Sequence, residues 1–218
     1  MFNALASCID GHSSDPDDLF SESNRLQHLH DSIEADTPES AVFDDLAIGL
    51  MAIEGRNYST AVTSLTRVTD ADPTQFALAQ EWLGTAYLKS GQPELAIDPL
   101  RRAIQLNEQL GREPLAIAEC HFSLGLAFLH SGRGECALSE FQAALHCEPD
   151  WGTVLMEIAR VHALRNRILE SAAALDEAGQ QDEAFLSQAN DDCDFETVVV
   201  SLACRSRQGT PHLCPDFE

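Results

Sequence analysis

Two stretches of the chain, WLGTAYLKSGQPELAIDPLRRAIQL (82–106) and SLGLAFLHSGRGECALSEFQAALHC (123–147), agree at seven positions when superposed. Leu83-Gly84, Tyr87, Gly91, Ala96, Leu100 and Ala103 stand against Leu124-Gly125, Phe128, Gly132, Ala137, Phe141 and Ala144. The spacing is helical on both sides of a glycine, so each copy reads as two helices joined by a reversal. A Gly or Ala in the first helix lets the second approach closely, where Ala96 or Ala137 faces it and Leu100 or Phe141 fills the space one turn on. One such hairpin leaves an apolar face bare, and only the next hairpin can cover it.

Two weaker copies flank this pair. Upstream stand Ile48-Gly49, Ala52, Ala61, Leu65, Val68 and Pro73, with Asp45 where an apolar residue is usual. Downstream stand Ile158-Ala159, His162, Ser171, Leu175 and Ala178. The small residues Gly49, Gly84, Gly125 and Ala159 are 35, 41 and 34 positions apart. The longer middle interval exceeds 34 by about two helical turns, which predicts about one extra turn on each flanking helix. Thr37-Pro38, Asp72-Pro73 and Glu148-Pro149 mark helix starts, and Gly91 and Gly132 mark reversals. Pro99 falls inside a second helix and predicts a kink there.

This order and spacing resemble the tetratricopeptide repeat (TPR), and the stretch AIQLNEQLGREPLAIAECHFSLGLAFL resembles the longer repeats of the kinesin-light-chain type. The resemblance implies an all-α fold, a right-handed superhelical TPR solenoid of antiparallel helix pairs with terminal capping helices. It places a TPR domain at 37–183, with about four repeats at 42–75, 77–110, 118–151 and 152–183.

The flanks differ in composition. Residues 1–41 hold nine acids and one base, and residues 191–218 hold six acids and two bases. We expect an acidic disordered arm at 1–15, an N-terminal capping helix at 16–36, and a capping helix with an acidic C-terminal tail at 184–218. Asp15-Pro16-Asp17-Asp18 supplies an N-cap, a first-turn proline and acids facing the helix dipole. Leu19, Leu26, Leu29 and Ile33 then fall largely on one face, suited to capping the first repeat or to folding back into the groove. QDEAFLSQA suits a short cap on the fourth repeat, whereas FETVVVSLAC is ambiguous between strand and helix.

The whole chain carries 36 acids against 13 bases, a formal charge of -23, which repels phosphate backbones and anionic membranes. Nucleic acid is therefore excluded as an expected partner, and no apolar run is long enough for a membrane span. Seven cysteines, an odd number without a CxxC pair, read as reduced thiols in a cytoplasmic protein, and the amino terminus lacks the basic and apolar regions of a signal peptide.

The TPR resemblance implies that exposed positions of each first helix line a concave groove. In this chain those positions are Phe43, Leu46, Leu50 and Ile53 in the first repeat, and Leu78, Glu81, Trp82, Leu88 and Lys89 in the second. The third supplies Glu119, Phe122, Leu126, Leu129 and His130, and the fourth Met156, Glu157 and Arg160. This set is mainly apolar, which marks an interaction surface unless the chain covers it itself. The basic clamp of co-chaperones that grip heat-shock chaperone tails is absent, since Leu46, Leu50, Glu81 and Trp82 stand at its early positions. We expect a non-catalytic adaptor, assembly factor or chaperone-like protein that takes an apolar or amphipathic segment with a basic rim meeting Glu54, Glu81, Glu119 and Glu157. Trp82 and Phe122 are the expected anchors. An accessory or regulatory subunit of an enzyme complex and an acidic TPR-type secretion chaperone are the alternatives.

No catalytic residue, cofactor or metal is expected. Walker, dinucleotide, nucleophile-elbow and HExxH patterns are missing. Three histidines and three cysteines crowd residues 120–147, but the repeat register sends them to different sides of two helices. Cys193, Cys204, His212 and Cys214 lack the short paired spacing of zinc ribbons.

Overall fold

The computed structural model describes residues 38–71 and 77–200, and every regular element among them is helical. The arm at 1–15, the capping helix at 16–36 and the tail beyond residue 200 lie outside the described residues. The chain divides into two compact units at Gly132/Arg133. In the first unit are α1 (Pro38–Glu54), α2 (Tyr58–Ala71), α3 (Ala77–Lys89), α4 (Pro93–Gln109) and α5 (Pro114–His130). In the second are α6 (Gly134–Cys147), α7 (Gly152–Leu164), α8 (Ile168–Gln181) and α9 (Ala184–Asp191), followed by a 3-10 turn at Cys193–Phe195 and a helical start at 196–200. None of the described helices is long and apolar enough to cross a membrane.

Within the first unit α1 packs on α2 and α3 on α4, while α2 also meets α3 and α4 meets α5. The small-against-large rule sets these contacts. A Cβ placed on Gly49 would come within 2.7 Å of Leu65, and one placed on Gly84 would run into Leu100. Ala61, Ala96, Leu65 and Leu100 are fully buried in the resulting seams. Arg101 of α4 adds a guanidinium 5.6 Å from the ring centroid of Phe128 on α5.

The seven inserted residues are helical. Helices α4 and α5 each have 17 residues, whereas α2 and α6 have 14 and α3 and α7 have 13. Three residues added to the second helix and four to the next first helix account for the whole insertion. The kink expected at Pro99 does not interrupt α4, which is one helix. The carbonyl that Pro99 leaves without an N–H belongs to Leu95, an exposed residue whose backbone water can reach.

All four predicted first-to-second-helix reversals use the left-handed backbone region at the same repeat position. Gly91 has φ 76° and Gly132 φ 74°, and the weaker copies place Arg56 at φ 56° and Asn166 at φ 57°. The next residue then donates back into the helix end: Asn57 N–H to Ala52 O at 2.7 Å, Gln92 N–H to Tyr87 O at 2.9 Å, and Arg167 N–H to His162 O at 2.9 Å. These are Schellman-type closures, which satisfy orphan carbonyls.

In the second unit α7 packs on α8, α6 meets α7, and α9 meets α8. Ser171 takes the position of Ala96 and Ala137, and its buried hydroxyl donates to the Ala159 carbonyl at 2.8 Å. Phe185 of α9 lies where a Cβ on Gly152 would be, and Leu186 lies 2.7 Å from such a Cβ on Gly179. The short helix thus seats two apolar side chains over two glycines and caps the fourth hairpin. Of the ambiguous stretch, the described residues 195–200 form helical turns, with Phe195 and Val198 fully buried.

Candidate functional site

Helix α1 does not offer the open apolar face expected of it. Leu46, Leu50 and Ile53 are 2%, 2% and 4% exposed and share one core cluster with Leu65, Val68, Leu78, Trp82 and Leu83. Phe43 is buried as well. The expectation of exposed positions is corrected at these residues and at Leu78, Trp82 and, in the second unit, Met156, all buried. Repeat register fixes the side of the helix on which a residue sits, but burial depends on what meets that side.

The same register gives a different surface on α3 and α5, two first helices that touch each other. Glu81 and Leu88 on α3 and Glu119, Phe122, Leu126 and Leu129 on α5 are half-buried, and Lys89 and His130 at the helix ends are exposed. Their basic groups lie in the last helical turns, where the carbonyl ends favour positive charge.

Below this surface a polar tie joins three helices. Asn107 of α4 donates through Nδ2 to Cys120 Sγ of α5 at 3.4 Å, and the Cys120 thiol is hydrogen-bonded to Glu81 of α3. Burial first, then the charge of Glu81 and its hydrogen bond, push the thiol well above the ordinary cysteine range, with Glu119 adding to the effect. Cys120 therefore stays protonated and is a poor nucleophile at neutral pH. Gln80 Nε2 and Trp82 Nε1 are buried without a hydrogen-bond partner, so α3 carries unsatisfied donors that depress its stability.

Arg160, expected at the groove, is engaged inside the second unit. Its guanidinium donates to Glu157 Oε2 at 3.1 Å and to Asp192 Oδ2 and Asp194 Oδ2, both at 2.7 Å. It also lies 5.3 Å from the ring centroid of Phe195. Partial burial opposes its charge, yet the hydrogen bonds it donates to the two aspartates and the charge of Glu157 outweigh this and raise its pKa. The Asp194 backbone N–H and Arg160 together hold the Asp192 carboxyl below its usual range. Asp192, Cys193 and Asp194 bring three potential metal-ligand atoms together, but both carboxylates already serve Arg160.

A family model described as tetratricopeptide repeat matches residues 46–111, which span the second half of α1 and all of α2, α3 and α4. Solved structures match over more of the chain. YrrB, described as a TPR protein with an unusual peptide-binding site, is 24% identical with a TM-score of 0.62, covering 80% of this chain and 88% of its own. The chain carries tetratricopeptide repeats at residues 46–111 and has the fold of a TPR protein. A MamA structure is 15% identical with a TM-score of 0.61, covering 81% of this chain and 100% of its own. MamA from Desulfovibrio magneticus RS-1 is 18% identical with a TM-score of 0.60, covering 76% and 86% respectively. No curated protein matches the chain.

The site departs from the sequence expectation in two ways. The polar tie around Cys120 is not visible in the repeat alignment, which sets Cys120 against Ala79 and Val154, small or apolar residues with no polar role to suggest one. The signal available was Asn107 on the inserted turn of α4, a buried amide in a helix that otherwise buries only apolar residues. The partners of Arg160 lie 32 and 34 residues downstream, beyond its own repeat, where the repeat alignment does not reach.

Proposed function

We propose that this TPR protein is a non-catalytic interaction module, an adaptor, assembly factor or chaperone-like protein of the cytoplasm. It receives an apolar or amphipathic segment of a partner protein on the first-helix surface of α3 and α5. The observation that carries the reading is the partial exposure of Leu88, Phe122 and Leu126 on adjacent first helices, beside the acids Glu81 and Glu119. An apolar strip flanked by carboxylates suits a segment with apolar residues in the middle and basic residues at the rim. Likeness to YrrB supports a peptide as ligand.

Phe122 is the anchor of this reading, and Lys89 and His130 flank the strip at the helix ends. Leu46, Leu50, Ile53, Leu78, Trp82 and Met156 act through packing, and Arg160 through the C-terminal tie. A regulatory subunit of an enzyme complex or a secretion chaperone would use the same surface with a different partner. Comparative capture from native extract tests the proposal: the Phe122→Ala/Leu126→Ala chain is expected to lose the partners that the wild type retains, at unchanged helicity. Equal capture by both chains contradicts it. Trp82→Ala is unsuitable as a binding probe, since removing a buried Trp costs about 3–5 kcal/mol of stability.

A further inference from the structure

The turn between α7 and α8 breaks the pattern of the other three. Five and ten positions after Gly49, Gly84, Gly125 and Ala159, each hairpin presents one residue ahead of its turn and one beyond it. The first three hairpins place Glu54 and Ser59, Lys89 and Glu94, and His130 and Glu135 there, all exposed. The fourth places Leu164 and Leu169, which are 57% and 58% exposed. Positions that three hairpins give to water thus carry large apolar side chains in the fourth, and grouped apolar exposure marks an interaction surface.

The charge at this turn is reversed as well. Residues 133–200 carry fourteen acids and four bases. Arg160 is held in the C-terminal tie. The other three, Arg133, Arg165 and Arg167, gather where α6 begins and α7 turns into α8. Arg165 lies over Gly134, with Nη1 2.9 Å from where a Cβ would stand. Its Nη2 and that of Arg167 approach one oxygen, Glu135 Oε1, at 3.1 and 2.6 Å. One carboxylate therefore serves two guanidinium groups, and positive charge is left over beside the leucines. The turn is also stiff, since the Asn166 and Arg167 N–H groups donate to Ala163 O and His162 O, both at 2.9 Å. Little ordering cost then falls on binding.

Leu-Arg-Asn-Arg-Ile-Leu (164–169) is accordingly an apolar segment with basic residues, the chemistry that suits the surface of α3 and α5. On that surface Leu88, Phe122 and Leu126 stand beside the carboxylates of Glu81 and Glu119. We infer that the α7–α8 turn of one chain docks on the α3 and α5 surface of a second copy. Leu164 and Leu169 meet the apolar strip, and Arg165 and Arg167 face its two carboxylates. The net charge of -23 does not forbid the contact, because at physiological ionic strength charges more than about 8 Å apart are screened. The two surfaces differ, so the contact is heterologous, and a docked pair keeps one surface of each kind open for further copies. The inference rests on the binding reading of α3 and α5 and names a second copy as an occupant of that surface.

The test is sedimentation over a concentration series on full-length chains: wild type, Leu164→Lys/Leu169→Glu, Phe122→Ala/Leu126→Ala, and an equimolar mixture of the two variants. Leu164→Lys/Leu169→Glu installs the residues of the second hairpin at exposed positions, so its thermal midpoint is expected within a few degrees of wild type. Wild type is expected to assemble beyond a dimer, and each variant to lose at least about tenfold in association constant. The mixture is expected to form a one-to-one pair and stop there, since each variant keeps the surface that the other lacks. A wild type that is monomeric up to about 100 μM, an assembly indifferent to Leu164→Lys/Leu169→Glu, or a mixture that forms no pair overturns the inference. Capture from native extract reads the acceptor surface separately. A monomeric wild type whose captured partners are lost with Phe122→Ala/Leu126→Ala removes the second copy and leaves the binding reading in place.

Discussion

The second hairpin, α3 with α4, and the fourth, α7 with α8, reach the same packing by different residues. In the second, Gly84 receives Leu100 so closely that no Cβ fits, and Gly91 turns the chain. In the fourth, Ala159 stands for the first glycine and Asn166 for the second, while Ser171 replaces the facing alanine and bonds its hydroxyl to the Ala159 carbonyl. A repeat therefore conserves a small residue, a large one and a turn conformation, and residue identity is secondary.

The largest expected contrast lies at the close approach. Gly84→Ala gains helix propensity but drives a methyl into the buried Leu100, and should cost about 2 kcal/mol net, within the about 1–3 kcal/mol seen for overpacked cores. Ala159→Gly should cost about 1 kcal/mol, the loss of helix propensity alone. Urea unfolding of each variant reads both. If Gly84→Ala is the milder change, the seam is looser than its geometry implies.

The turns give an effect of opposite sign in the two hairpins. Gly91→Ala places a Cβ at φ 76° and should destabilise by about 1 kcal/mol. Asn166→Gly relieves the left-handed strain at φ 57° and should be neutral or stabilising by a few tenths of a kcal/mol, because Asn tolerates that region better than most residues. Thermal midpoints measured in one buffer decide it, and a matching loss in both variants would refute the turn argument.

The smallest effect is confined to the C-terminal tie. Asp192 has a depressed carboxyl pKa when folded, so the unfolded chain binds its proton first as the pH falls. Its contribution is complete above the ordinary carboxyl value near 3.8 and fades as the pH drops through the lower folded value. Arg160 stays charged throughout. Asp192→Asn is accordingly expected to lower the midpoint modestly at pH 7 and to flatten the acid dependence below pH 4, without altering α1–α5. An Asp192→Asn chain with the acid dependence of the wild type would contradict the assignment.

Much of the architecture was legible in the residues. Seven matched positions specify two hairpins, and the 41-residue interval between Gly84 and Gly125 is realised as extra helix in α4 and α5. Even the left-handed Arg56 and Asn166 follow from register, since they stand where Gly91 and Gly132 stand. The site was less legible. Leu46 and Phe122 occupy the same register position, yet one is core and the other half-exposed, because the neighbouring chain and not the position determines cover. The tie from Arg160 to Asp192 and Asp194 depends on where the C-terminal turn comes to rest, which a repeat of 34 residues does not encode.

The most direct test of the binding surface is a selection of displayed random peptides on the intact chain, repeated with Phe122→Asp. The account predicts enriched sequences with apolar residues at helical or alternate spacing and Lys or Arg at the margins, and loss of that enrichment with the substituted chain. Peptides enriched equally by both chains, or an enriched set rich in acids, would contradict it.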